Sequence, residues 1–179
     1  MLNPESTILV VVDLQEKLAA VIDGKEAVIE GNVRIISGCT ILGIPILWTE
    51  QNPKGLGPTV PEVRELLTDS LRITKFSFSC CGEGSFVSAI EDLNRRQVLV
   101  TGMEAHVCVY QSVADLVGMG YEVQVVADAV SSRTAENKAV GLVRCQYVGG
   151  SITSVETALF ELLKKAEGDK FKEMLKIVK

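Results

Sequence analysis

Short apolar runs alternate with segments of helical spacing along the whole chain. Thr7 to Val12 is β-branched and continuously apolar, the pattern of a central strand buried on both faces. Glu26 to Leu42 carries Val28, Ile29, Val33, Ile36 and Ile41 at helical spacing, and Gly43 supplies a C-terminal stop. Pro45 to Thr49 is a second short strand. Glu50 to Thr59 is rich in Pro and Gly and reads as a loop, either a bland surface loop or a lid over the sheet edge. Val60 to Leu67 makes a short helix with Pro61 in its first turn. Leu71 to Thr74 is a weak third strand, followed by Lys75 and then a helix from about Glu83 to Asn94. Tyr121 to Val126 is a fifth strand, Asp128 to Arg133 the turn after it, and Thr134 to Arg144 a helix. Ser151 to Ser154 is a sixth strand, leading to a helix through Leu163, and Lys170 to Lys179 adds a terminal amphipathic turn or two. This alternation predicts one α/β sandwich over residues 1–179, with a mostly parallel sheet and right-handed crossovers.

The fourth run is the densest in chemistry. Val98 to Thr101 reads as a buried strand, Gly102 breaks it, and helical spacing begins at Cys108 with Val109, Ser112, Val113, Leu116 and Val117. Ligands of open α/β sheets bind at the carboxyl ends of the strands. A cysteine in the first turn of a helix meets unpaired N–H groups, which favour the thiolate. Cys108 therefore reads either as a nucleophile or as a buried packing cysteine. As a nucleophile it is expected to be the most alkylation-prone thiol of the chain. Asp13 ends the first strand, as a functional carboxylate or as a helix N-cap. Lys75 ends the third.

Composition narrows the setting. The chain has 179 residues, enough for one sizeable core, with 47% hydrophobic and 23% charged residues. A net charge of −5 gives no reason to expect nucleic acid or an anionic membrane as partner. No stretch is apolar enough to span a bilayer, and the start of the chain lacks the basic region of a signal peptide. A cytoplasmic location is the expectation. The cysteines are Cys39, Cys80, Cys81, Cys108 and Cys145, an odd count without regular spacing, so reduced thiols are expected. His106 is the single histidine, too little for a common zinc site.

Asp13-Leu14-Gln15, Lys75-Phe76-Ser77 and Gly102-Met103-Glu104-Ala105-His106-Val107-Cys108, in this order, resemble the isochorismatase-like cysteine hydrolase family. The loop from Thr49 to Glu62 is similar to the branch called isochorismatase domain-containing proteins, and Asp128 to Arg133 also matches. The resemblance implies a three-layer αβα sandwich with a six-stranded sheet. It implies a catalytic triad of Asp13, Lys75 and Cys108, an oxyanion hole from the amides of Glu104 and Cys108, and a cis peptide at Met103–Glu104. Gln15, Glu50 and His106 are candidate substrate contacts. Family nicotinamidases hold a metal with an Asp-x-His, where this chain has Glu50-Gln51-Asn52, so neither metal nor cofactor is implied. Isochorismatases proper lack the cysteine, which argues against isochorismate as substrate.

The implied activity is hydrolysis of a small amide or related C–N bond through an acyl-enzyme on Cys108. The competing readings are a non-catalytic binding or scaffolding protein of the same fold, and redox work by Cys108, for which the sequence places no resolving cysteine nearby. A homo-oligomer is expected, on the exposed-looking Leu56 and Met119 and on family habit.

Overall fold

The structure, a computed structural model, describes residues 1–178. Strands β1 (Thr7–Val12), β2 (Ile46–Gln51), β3 (Leu71–Lys75), β4 (Gln97–Met103), β5 (Glu122–Ser131) and β6 (Ser151–Thr153) form one sheet in the order β3-β2-β1-β4-β5-β6. Every pairing is parallel. Helices α1 (Glu16–Ala19), α2 (Lys25–Leu42), α3 (Pro53–Leu56), α4 (Pro61–Arg64), α5 (Gly84–Asp92), α6 (Tyr110–Gly118), α7 (Ala135–Tyr147), α8 (Val155–Leu163) and α9 (Gly168–Val178) connect and flank it.

Strand periodicity divides the core. Leu9 and Val11 of β1 point to one face, where they join Ile35, Ile36 and Cys39 of α2 and Leu159 and Leu162 of α8. Ile8, Val10 and Val12 point to the other, where they meet Phe86 and Ile90 of α5 and Val113 and Leu116 of α6. Both faces of β1 are covered, which is why its run is apolar without alternation. The terminal helix α9 lays Met174 against the first layer; Lys179, the end of the expected terminal turn, lies outside the described residues.

The central strands differ from expectation in one informative way. Gly102 does not end β4; it lies within it, at a break in register against β5 between Val100 and Gly102. Pairing resumes at Gly102 with Val130 and at Met103 with Ser131, so Ala129 to Ser131 are strand rather than turn. Gly102 has φ +124, and a Cβ there would sit 2.0 Å from the Val12 carbonyl oxygen. Only glycine allows β1 and β4 to stay paired through this point. At Gly141 of α7 a Cβ would fall 2.5 Å from the Ala105 backbone, so the helix presses directly on the turn after β4.

The chain leaves β1 outward to β2 and β3, then returns to β4 on the other side. The reversal lies between β1 and β4, and their carboxyl ends flank the crevice where such sheets bind ligands.

Replacing Gly102 with Ala is expected to destabilise the fold by about 3 kcal/mol or more. Gly84→Ala, where added Cβ meets nothing within 4 Å, is expected to leave stability nearly unchanged. Urea midpoints of the two variants check this, and equal midpoints would contradict the packing argument.

Candidate active site

Asp13, Lys75 and Cys108 come together at the carboxyl edge of the sheet. Asp13 follows β1 directly, with φ +50, a left-handed conformation that a short polar side chain tolerates. It does not cap α1, whose N-cap position is Gln15 and carries no side-chain cap bond. Its Oδ1 instead accepts the Thr49 hydroxyl at 2.7 Å, and its Oδ2 lies 2.6 Å from Lys75 Nζ. Lys75 ends β3, two strands from β1, roughly 10 Å across the sheet. Only a long side chain spans that gap. The ammonium reaches across β2 and also donates to Gln51 Oε1 at 2.7 Å, Phe78 O at 3.0 Å and Ser77 O at 3.2 Å.

Lys75 and Asp13 are both fully buried. Burial pulls the Lys75 ammonium downward more than any single neighbour raises it, but Asp13, Cys108 and Cys80 together more than offset it and the net shift is upward. Lys75 is therefore a fixed cation. Gln51 went unnoticed in the sequence; its position opposite Lys75 in the β2–β3 register is the signal that could have found it.

Cys108 lies in a turn of π-helix, Ala105–Val109, that leads into α6. This is the helix start anticipated, but the thiol is not depressed. Burial and the nearby Asp13 carboxylate push it up to about 12, against the downward pull of Lys75. The expected resting thiolate is thus a resting thiol. Burial also raises Cys39 and Cys80 to about 12 and Cys81 and Cys145 to about 11. Cys81 is half-buried while the other four are buried, Cys108 keeping 5% exposure, so Cys81 is the more accessible of the two.

The turn before Cys108 also departs from expectation. All described peptide bonds are trans, Met103–Glu104 included; the chain turns there through a left-handed Glu104 at φ +61. Glu104 is buried, its Oε1 without a partner, its Oε2 3.4 Å from the Arg133 guanidinium and 3.8 Å from His106 Nε2. His106 Nδ1 lies 3.0 Å from Ser132 Oγ, so the ring is held between the ends of β4 and β5.

Gln15 and Glu50 have structural partners. Gln15 Nε2 donates to the carbonyls of Gly57 and Gln51, and its Oε1 accepts the Gln51 N–H. Glu50 Oε1 accepts both the N–H and the hydroxyl of Thr59. Together they fasten the loop after β2, which contains α3 and pairs Thr59 with Gln15 in a single antiparallel bridge. The loop is pinned rather than free to swing as a lid. Among the described residues no three His, Cys, Asp or Glu side chains converge as metal ligands, and no described helix is long and apolar enough to cross a membrane.

The sheet's switch point thus carries a carboxylate, a buried lysine and a cysteine. The isochorismatase domain model matches residues 7–157, and the chain belongs to the isochorismatase-like hydrolase family. Isochorismatase domain-containing protein 1 of Danio rerio is 37% identical over 178 residues, covering 99% of this chain. The chain spans 62% of that relative's length. Isochorismatase domain-containing protein 2 of the same fish is 37% identical, covering 99% of this chain and 89% of the relative. A solved structure described as MAR1 ribonuclease from Caenorhabditis elegans superposes with a TM-score of 0.93 at 36% identity, covering 99% of this chain and 91% of that one.

The buried thiols predict alkaline lability. Each has a native pKa above its unfolded value of about 8.5, so the unfolded chain loses protons first as pH rises. Their stabilising contribution is complete below about pH 8.5 and declines as pH climbs through the native values. Urea midpoints should hold from pH 7 to about pH 8.5 and fall above it; a profile that stays flat into the alkaline range would contradict the assigned burial.

Proposed function

We propose that this protein is a cysteine-dependent hydrolase of a small amide or related C–N substrate. The observation that carries the reading is the buried Lys75–Asp13 ion pair, 2.6 Å apart, with the Cys108 thiol close enough for the same carboxylate to raise its pKa. Charges are taken out of water at considerable cost, and a pair of this kind beside a nucleophile fits a chemical task better than a packing role.

Asp13 takes the thiol proton as Cys108 Sγ attacks the carbonyl carbon. Lys75 balances the negative charge that develops on sulfur as the carboxylate becomes protonated. The backbone amides of Glu104 and Cys108 are the proposed donors to the oxyanion. Asp13 passes the proton to the leaving nitrogen, an acyl-enzyme forms, and water activated by Asp13 clears it. A raised thiol suits this sequence, because the nucleophile forms only when a carbonyl is there to receive it. His106 and Glu104 stand at the end of β4 as candidate substrate contacts. A cytoplasmic homo-oligomer accompanies the proposal: Val143 and Tyr147 of α7 are 63% and 83% exposed, and Phe76 and Phe78 are exposed beside the site. Leu56 is half-buried and contributes less than expected.

The description of the Caenorhabditis elegans neighbour raises RNA cleavage as a second reading. A net charge of −5 and a Lys75 fully engaged in the interior offer a phosphodiester backbone little to bind. Incubation with single-stranded RNA separates the two: fragmentation that persists in purified wild type and vanishes in Cys108→Ala would favour the nuclease.

A panel of small amides with ammonia detection tests the hydrolase. Cys108→Ala and Lys75→Met are each expected to lower kcat by about 10³-fold or more, as for members of a cooperating set. Circular dichroism must show the variants folded, since Lys75→Met leaves Asp13 buried without its partner, a loss of about 3–5 kcal/mol. Treatment with EDTA is expected to leave wild-type turnover unchanged. Normal turnover in folded Lys75→Met, or loss on chelation restored by zinc, would overturn the mechanism.

A further inference from the structure

The hydrolytic reading leaves one buried nucleophile unused. Cys80 lies in a turn of 3₁₀ helix, Cys80–Gly82, after β3, and is completely buried. Its backbone N–H donates to Ser112 Oγ at 2.9 Å, and the same hydroxyl donates to the Cys108 carbonyl at 2.7 Å. One serine of α6 therefore joins the two cysteine backbones. The side chains are joined by a second route. Cys80 Sγ lies 3.9 Å from Thr49 Oγ1, which donates at 2.7 Å to Asp13 Oδ1, and the same carboxylate acts on the Cys108 thiol. The two bridges hold both thiols beside one carboxylate, in one apolar layer.

The other thiols are placed differently. Cys39 belongs to the opposite layer. Cys81, although adjacent in sequence, is only part-buried at the margin of that layer, and its charged neighbour is Asp115. Cys145 belongs to α7 and feels none of these charges. The charged groups facing both Cys80 and Cys108 are Asp13 and Lys75.

We propose that Cys80 and Cys108 form a peroxide-responsive dithiol, in which a hydroperoxide oxidises Cys108 and Cys80 resolves the product to an intramolecular disulfide. In the first step Cys108 sulfur attacks the near oxygen of the hydroperoxide and the O–O bond breaks. The thiol proton moves through Asp13 to the departing oxygen, giving a sulfenic acid and an alcohol, or water from hydrogen peroxide. In the second step Cys80 sulfur attacks the sulfenic sulfur, the S–O bond breaks, and water leaves with the Cys80 proton. Two thiols have then given up two electrons and two protons to one hydroperoxide. Only Cys108, at the edge of the site, has to be reached from outside; the second step is internal. The disulfide occupies the nucleophile and halts acyl transfer, and it keeps Cys108 from irreversible oxidation until a thiol reductant restores it.

The proposal needs a nucleophilic Cys108 but no hydrolytic turnover, so its test reads covalent state rather than activity. The full chain is treated with hydrogen peroxide, free thiols are blocked with iodoacetamide under denaturing conditions, and peptides are mapped by mass. In wild type the expected result is loss of two hydrogens, a cross-link between the Cys80 and Cys108 peptides, and reversal by dithiothreitol. Cys81→Ser is expected to behave as wild type. Cys80→Ser and Cys80→Ala are expected to form no such cross-link. They should instead trap dimedone on Cys108, converting a minor product into the major one; using both variants guards against misfolding of either. Oxygen addition on Cys108 with Cys80 free in wild type would overturn the proposal, as would a cross-link to Cys81 or no oxidation of Cys108 at all. A wild type that cross-links as expected yet hydrolyses no amide would sink the hydrolase reading and leave this one standing.

Discussion

The interaction on which the site depends is the ion pair between Lys75 and Asp13 in the interior. Two charges removed from water are favourable only if every remaining hydrogen-bonding position is filled. The structure surrounds this pair with polar groups from several elements at once. Gln51 on β2 and the carbonyls of Ser77 and Phe78 surround the ammonium, and Thr49 on β2 holds the other carboxylate oxygen. The pair thereby ties the edge strand β3 to the central strand β1 across β2. Removing any one support leaves a buried charge short of a partner, so the local geometry of three strand ends is set by electrostatics as much as by packing.

That arrangement explains the state of the thiol. A cation beside a cysteine is usually taken to generate a thiolate. Here the cation is already committed to a carboxylate, and burial adds to the carboxylate's effect. The net field at Cys108 disfavours a second negative charge. Under the proposed mechanism Asp13 is the proton acceptor, which fits a nucleophile formed during attack better than one waiting exposed to solvent.

The surroundings are rigid for identifiable reasons. Gln15 and Glu50 spend their polar atoms on the backbone of the loop after β2, and Lys17 Nζ donates to the Gly55 carbonyl. On the opposite side, Gly141 lets α7 rest on the backbone of Ala105 and His106. The nucleophile is thus clamped between a pinned loop and a close helix contact, while Glu104, His106 and Arg133 form a polar cluster at the far strand end.

Much of this was legible in the residues alone. Apolar runs as short as Thr7 to Val12, separated by helical periodicity, determine a parallel sheet with helices on both faces, because only burial on both sides accounts for unbroken hydrophobicity. The residues ending β1, β3 and β4 could be singled out because strand ends are where such sheets act. What the chain order could not show was anything decided by contact across the sheet. The break at Gly102, and the continuation of β5 through Ser131, depend on the approach of the Val12 carbonyl from a strand some ninety residues earlier. The direction of the Cys108 shift depends on burial and on Asp13, neither of which is local to it. Gln51, Thr49 and Ser112 gained their roles only when β2 and α6 were packed beside Asp13, Lys75 and Cys108, and Cys80 came beside Cys108 while its neighbour Cys81 stayed part-exposed. Sequence determines which residues end which elements, through propensity and periodicity that act over a few residues; tertiary structure decides which of those ends meet, because burial and electrostatics depend on distance in space.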